Sequence, residues 1–454
     1  MTTTRNDGAP RYRAYTLNNF SSIPQYERLT RAQREAVETV GHVLPFKTNS
    51  YVVDQLIDWD KLPDDPMYVL TFPQRDMLRD EHYARMRDAL RHGDHSPEVD
   101  QAAHEIRLAL NPHPAGQMEH NVPEIYGQKL SGMQHKYRET VLFFPSNGQT
   151  CHAYCSFCFR WPQFVGDESM KFAMRESELL VAYLREHPEV TDVLFTGGDP
   201  MVMSAKNLKI YIEPLLEANL PSLQTIRIGT KSLSYWPYRF TTDKDADDVL
   251  DLFRRVTSSG LHLAIMGHFN HPKELTTTAV DEAIGRVLET GAQIRTQSPV
   301  MRNINDSGDA WAEMWRRQVS LGLIPYYMFV ARDTGAQHYF SVPLVRAWEI
   351  YREALKQVSG IARTVRGPSM STDPGKVQVL GPADVAGEKV LTLNFLQGRN
   401  PDWVARPFFA RYDETATWLD DLRPAFGERE FFYEPELRQM FEEDKQREEE
   451  LALA

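Results

Sequence analysis

Residues 141–158 read VLFFPSNGQTCHAYCSFC: a β-branched and aromatic run, a short polar turn, then three cysteines within eight positions. The chain has 454 residues and only 3 cysteines, so all of them fall in this stretch. Three residues separate Cys151 from Cys155 and two separate Cys155 from Cys158. Spacing this tight, with an odd count, does not make a disulfide framework, and a metal or cluster is the economical reading. The run before the cysteines has the composition of a buried strand. The cysteine loop therefore starts at a strand's carboxyl end, where sites gather in parallel α/β folds.

The same texture repeats along the chain. Strand-like runs begin at Val141 (VLFFPS), Asp192 (DVLFTG), Thr225 (TIRIG), Leu261 (LHLAIMGHF), Ile294 (IRTQSPV) and Pro325 (PYYMFV). Between them lie amphipathic stretches such as ESELLVAYLREH, AKNLKIYIEPLLEA, DADDVLDLFRRVTSSG, AVDEAIGRVLETG and AWAEMWRRQVSLG, several closed by glycine. This alternation predicts a parallel sheet with crossover helices. Six units in about 210 residues predict an open or partial (β/α)6 barrel, with a doubly wound sheet as the alternative. Upstream, RAQREAVETVGHVL and MLRDEHYARMRDALRHG carry helical periodicity, broken by LPDDP and TFPQ. The first dozen residues read as frayed, and 111–134 as a connector containing NPHPAG. Past Gly360 the alternation lapses into short β-like pieces, KVQVL and VLTLNF, and the chain ends in an acidic helical run, FEEDKQREEELALA, read as a solvated face. The expected organisation is an α/β chain with a helical N-terminal region (1–134), the partial barrel (135–345) and a mixed C-terminal region (346–454).

Composition narrows the function. With 42% hydrophobic and 25% charged residues the chain is globular, which excludes disordered and fibrous classes. A net charge of -12 argues against a broad footprint for nucleic acid or anionic membrane. No apolar run reaches the roughly 18 to 20 residues that span a bilayer, and MTTTRNDGAP has no signal-peptide core. A cytoplasmic protein is expected.

Three thiolates with no fourth cysteine leave one iron of a four-iron cluster without a protein ligand, the open position that cofactor activation needs. The alternative is a zinc site completed by His152 or His268. The spacing CxxxCxxC resembles the cluster motif of radical S-adenosylmethionine (SAM) enzymes, and the surrounding chain resembles the lysine 2,3-aminomutase family. The likeness runs from about Asp54 to Leu380 through IDWDKLPDDP, HKYRETVLFF, CSFCFR, TGGDP, IRIGTKS, HFNHP, QSPVMRNIND and PYY. It implies a radical SAM partial barrel, a [4Fe-4S] cluster on Cys151, Cys155 and Cys158, SAM, and pyridoxal 5'-phosphate carrying an amino acid substrate. It also implies a low-potential electron donor such as flavodoxin or ferredoxin, and a homo-oligomer.

The resemblance assigns further residues. Gly197, Gly198 and Asp199 would let the backbone approach the methionine moiety of SAM, with His268 beside it, while His271 only caps a turn. Lys376 matches the pyridoxal lysine, although the family's Gly-rich stretch before it is shortened here to Asp373, Pro374 and Gly375. Lys136 or Arg138, with Gln297, would serve the phosphate; one family arginine position is Thr140 here. Arg160 matches the arginine that grips the α-carboxylate, a task suited to a planar fork. Lysine-specific relatives carry one aspartate after the sixth strand and another seven residues before the pyridoxal lysine. Those positions are Arg332 and Ser369 here, and neither pairs with an ammonium. The resemblance thus implies a 2,3-aminomutase acting on a substrate with an anionic or acceptor side chain, glutamate-like. A one-residue slip to Asp333, with Asp373, would restore lysine. Other radical outcomes (desaturation, elimination), an enzyme lacking pyridoxal phosphate, and a zinc-binding scaffold are the remaining alternatives. The family's structural zinc cysteines near the C-terminus are missing, so the tail is expected to be held by packing alone.

Overall fold

Strand burial alternates in the way a barrel wall requires: Thr225–Thr230 buries Ile226 and Ile228 on its outer face and leaves Arg227 and Gly229 half-buried on the other. In the computed structural model, which describes residues 10–111, 121–165 and 172–453, such strands form one 11-stranded sheet. The expected fraying at 1–9 and the part of the connector at 112–120 lie outside the described residues.

Two short hairpin pairs precede the sheet: β1 (Ala14–Thr16) with β2 (Lys47–Asn49), and β3 (Glu124–Ile125) with β4 (Gln128–Lys129). The sheet itself runs through β5 (Met133–Tyr137), β6 (Thr140–Phe143), β7 (Asp192–Phe195), β8 (Thr225–Thr230), β9 (His262–His268), β10 (Gln293–Val300) and β11 (Ile324–Val330). It continues through β12 (Arg366–Ser371), β13 (Gly375–Val385), β14 (Glu388–Gly398) and β15 (Pro407–Arg411). Strands β6 to β11 are the six expected strands, mutually parallel and adjacent in chain order. Helices Ser177–Glu186, Ala205–Glu217, Ala246–Ser258, Thr278–Leu288 and Gly308–Ser320 cross between them. Ser204, Thr277 and Ser307 cap three of these by accepting from the third residue on, and Gly291 (φ +85°) ends one. The architecture is a partial barrel.

One strand was not expected. β12 pairs in parallel with β11, a seventh parallel strand reached through helix Leu344–Lys356. Its sequence, RGPSMS, reads as a turn, because proline cannot donate to a ladder; here Pro368 sits where the β11 pairing skips register. β5, β13, β14 and β15 extend the two edges in antiparallel fashion. The sheet curls far enough for Lys136 on β5 to hydrogen-bond the Thr372 carbonyl in the β12–β13 turn.

The N-terminal region is helical as expected, with helices Arg31–Gly41, Pro66–Thr71, Asp80–Ala89 and Pro97–Leu110. The LPDDP break becomes a cap: Asp65 accepts from the amides of Met67 and Tyr68. At the other end, Phe395, Trp403, Phe408, Trp418, Phe431 and Tyr433 form a second apolar cluster under β13–β15, with Phe395 edge-on to Tyr433 at 5.2 Å. This packing holds the tail up to helix Glu434–Leu453. Among the described residues no helix is long and apolar enough to cross a membrane.

Candidate active site at the carboxyl ends of the strands

The cysteines follow β6 as expected, and the N-terminal region braces their loop. Lys47 Nζ donates to the Cys151 carbonyl (2.7 Å), Asn49 Nδ2 to the His152 carbonyl (3.1 Å), and the Tyr154 amide to the Lys47 carbonyl (2.7 Å). The Ser156 amide reaches Leu70 O at 2.9 Å, and the Cys158 amide closes a turn on Cys155 O at 3.0 Å. The loop's backbone polar groups are thereby satisfied by β2 and helix Pro66–Thr71, and this is what the helical region contributes to the site.

The donor set suits a cluster. Burial pushes the Cys158 thiol up to about 12 and raises Cys151 and Cys155 as well. A bound cationic metal centre is what offsets that penalty and makes the thiolates stable. Among the described residues no three His, Cys, Asp or Glu side chains converge on a single-ion position, which a zinc site with donors about 2.0–2.3 Å from one point demands. His152 Nδ1 lies 2.9 Å from Ser232 Oγ.

Gly197 and Gly198 lie one strand over, after β7. A Cβ at Gly198 would sit 2.4 Å from Thr150 O, and one at Gly197 (φ +134°) 2.3 Å from the side-chain Nε2 of Gln149. Their small size thus admits residues 148–150, the approach to Cys151. Asp199 completes the clamp. Its amide donates to Thr150 O (2.7 Å), and its buried carboxylate accepts from Thr230 Oγ1 (2.7 Å), the Lys231 amide (2.8 Å), the Met201 amide (2.9 Å) and Ser232 Oγ (3.0 Å). The ends of β6, β7 and β8 are joined through this one residue, by its amide toward β6 and by its carboxylate toward β8.

Strand register puts His268, Gln297, Tyr327 and Arg366 in one row across β9 to β12. His268 Nδ1 is buried without a partner among the described residues, and burial, then Lys231, pushes its pKa down to about 3, so the ring is neutral. Lys376, the second residue of β13, lays its Nζ 4.0 Å from the Tyr327 ring centroid, and Tyr327 stacks on Phe329 at 5.0 Å. Burial first, then Arg227 and Arg366, pushes the Lys376 amine down to about 7. The shortened stretch is the β12–β13 turn: the Thr372 and Gly375 amides and carbonyls bond each other, and Arg399 Nε holds the Asp373 carbonyl.

Lys136 also falls to about 7, through burial and then Arg399, with Arg332 and Lys376 adding to it and Asp373 opposing. Arg160 is buried, its guanidinium 4.1 Å from the Phe144 ring centroid and 5.4 Å from Phe159. Arg332 lies 5.2 Å from the same Phe159 ring, its buried Nε without a partner among the described residues. The loop carrying it is anchored by Trp161 Nε1 to Thr334 Oγ1 (3.1 Å) and by the Gly335 amide to Leu110 O (2.8 Å). Lys136, Lys376, Arg160 and Arg332 therefore share one interior, with Asp333 and Asp373 as the acidic neighbours of Arg332.

Two candidates are not brought there. Arg138 stands in the β5–β6 hairpin turn, its side chain 65% exposed, at the amino end of β6 and away from the cysteine loop. Ser369 is fully buried, with its hydroxyl turned to the Met328 carbonyl at 3.5 Å. Residues the sequence reading passed over include Arg227, paired with Asp192, and the buried pair of Lys231 and Glu274. Strand parity could have flagged Arg227, an inward position of β8; nothing local distinguishes Glu274 from a surface acid.

A cluster-ready cysteine loop after the first parallel strand of a partial barrel defines a radical SAM enzyme. No family model matches the chain. It is 29% identical over 402 residues to a putative L-lysine 2,3-aminomutase of Aquifex aeolicus (strain VF5), covering 88% of this chain and 94% of that protein. It is 27% identical over 307 residues to the L-lysine 2,3-aminomutase of Bacillus subtilis (strain 168), covering 66% and 59% respectively. For the Escherichia coli (strain K12) L-lysine 2,3-aminomutase the figures are 28% over 250 residues, 54% and 68%. Among solved structures, a radical SAM methyltransferase from Sphaerobacter thermophilus aligns with a TM-score of 0.36 at 18% identity, over 52% of this chain and 68% of that one. Over most of its length the chain is similar to the lysine 2,3-aminomutases, which are radical SAM enzymes. That likeness implies a [4Fe-4S] cluster and SAM.

Proposed function

We propose that the protein is a pyridoxal-phosphate-dependent 2,3-aminomutase for an amino acid with an anionic or hydrogen-bond-accepting side chain, glutamate-like before aspartate-like. The observation that carries the substrate class is Arg332, a half-buried cation whose buried Nε has no partner among the described residues and whose guanidinium lies against the ring of Phe159, which Arg160 also faces. A carboxylate supplies the acceptor that this fork lacks. An ammonium would meet Arg332, Lys136 and Arg160 in a poorly solvated space, where like charges repel strongly. The reaction is an isomerisation: the α-amino group and one β-hydrogen exchange carbons, and nothing is gained or lost.

When bound, the cluster supplies the electron that opens SAM, and pyridoxal phosphate supplies the ring through which the amino group moves. The chain's own residues bind and orient. Lys376 offers an amine that is half neutral near pH 7, the form able to attack an aldehyde, beside the flat wall of Tyr327 and Phe329. Lys136 and Gln297 suit the phosphate, and Arg160, fixed on Phe144, suits the α-carboxylate. The half-buried, neutral His268 and the clamped Gly197–Asp199 edge suit SAM. The electron comes from a low-potential donor of the flavodoxin or ferredoxin class.

Lysine is the second reading. The relatives above are named for lysine, and Asp333 and Asp373 both lie near enough to Arg332 to offset its charge. Two experiments test the assignment. Borohydride reduction of protein loaded with pyridoxal phosphate should leave a pyridoxyl group on the peptide containing Lys376; an adduct on another lysine refutes its role. Arg332→Ala should lower kcat/KM for glutamate by about 10- to 100-fold, the loss of roughly 1.5–3 kcal/mol for a charged hydrogen bond, and lysine turnover should not fall with it. Unchanged selectivity would favour the lysine reading.

A further inference from the structure

Tyr235 ends the short helix Ser232–Tyr235 that follows β8, and its ring is buried. Its hydroxyl lies 3.6 Å from Cys155 Sγ. Two backbone bonds fix the residue: its amide donates to Lys231 O (2.9 Å), and its carbonyl accepts from Asn49 Nδ2 (3.0 Å), the side chain that also holds His152 O. Above the ring sits Lys231, its Nζ 4.3 Å from the centroid. That ammonium is locked by the fully buried Glu274, by Asn270 Oδ1 (2.8 Å) and by the His268 carbonyl (3.3 Å). Glu274 is held in turn by Ser234 Oγ and by the amides of Asn270 and His271. The substrate and pyridoxal phosphate assignments use none of Tyr235, Lys231 or Glu274.

A cysteine that ligates iron has no proton to give, so in the loaded protein the phenol is the donor and the sulfur the acceptor. Hydrogen bonds to ligand sulfurs favour the more negatively charged cluster state. A cation over the ring draws density from it and makes the O–H a better donor. We propose that Tyr235, with Lys231 held over its ring by Glu274, is a positioning residue that makes the bound cluster easier to reduce through a hydrogen bond to Cys155. The redox step is a single electron entering the cluster from an external low-potential donor; the phenol keeps its proton, and no bond at Tyr235 or Cys155 breaks. The inference rests on the cluster reading, and iron content tests that reading separately.

The experiment is a redox titration of the anaerobically reconstituted full-length protein with dithionite and mediators, followed by electron paramagnetic resonance without SAM. At the potential where wild type is half reduced, Tyr235→Phe at full iron content should show a reduced-to-oxidised ratio lower by roughly five- to tenfold, the worth of about one net hydrogen bond. Replacement of Tyr235 by 3-fluorotyrosine, a more acidic phenol of nearly the same size, should raise the ratio. If Tyr235→Phe loads too little iron to titrate, the fluorotyrosine protein decides. Equal ratios for wild type and the Phe variant, or a fluorotyrosine ratio at or below wild type, overturn the proposal. A wild-type protein that binds no cluster removes the reading on which it rests.

Discussion

Alanine at any one of Cys151, Cys155 or Cys158 should abolish reductive cleavage of SAM. The chain has no fourth cysteine to take over a vacated position. Among the described residues no acidic or histidine side chain, His152 included, completes a donor set with the two thiols that remain. A cluster on two ligands is lost rather than weakened, so the effect on activity is complete while the fold persists. The loop keeps its braces from Lys47, Asn49 and Leu70, none of which depends on a thiol. Iron analysis and deoxyadenosine release under dithionite check this. A variant with about four irons per chain and normal cleavage would contradict the assignment.

Asp199→Ala should be the most damaging single change outside the cysteines. It strands the buried amides of Met201 and Lys231, while the hydroxyls of Thr230 and Ser232 can turn to other acceptors. Each buried unpaired donor costs about 1–3 kcal/mol, partly offset because a buried carboxylate no longer has to be desolvated; the net is on the order of 3 kcal/mol. Thermal unfolding should report that loss. Iron retention should fall too: alanine keeps the amide that holds Thr150 O directly before Cys151, but without the carboxylate's bonds to Thr230, Lys231 and Ser232 that amide is no longer fixed in place. Asp199→Asn, which keeps one acceptor oxygen, should lie between the two. Wild-type stability and full iron in the alanine variant would show that the clamp is dispensable.

Much of this was legible in the sequence because the barrel strands are short β-branched and aromatic runs, buried on one face and half-buried on the other, separated by amphipathic helices, a texture with few competing readings. The cysteine loop announced itself by clustering. What was hidden depended on register or on tertiary burial. Arg138 reads as part of a run leading into β6, but a hairpin turn there sends it to solvent. β12 hides behind Gly367 and Pro368, which suggest a turn until the strand is seen to skip register at that point. Glu274, three residues after a histidine in a polar loop, has no local mark of its burial, which comes from the network with Lys231, Ser234 and Asn270. Arg332, read in the sequence as standing where lysine-specific relatives carry an aspartate, lies 5.2 Å from the Phe159 ring, with Arg160 5.4 Å from the same ring; neither ring contact has a mark in the sequence.

The most direct measurement of the central claim is anaerobic incubation of the reconstituted protein, with SAM, pyridoxal phosphate and dithionite, against the common amino acids, with products identified by mass and by comparison with authentic β-amino acids. The account predicts the β-isomer of glutamate at a rate above that from lysine. Turnover of lysine equal to or faster than that of glutamate would contradict it.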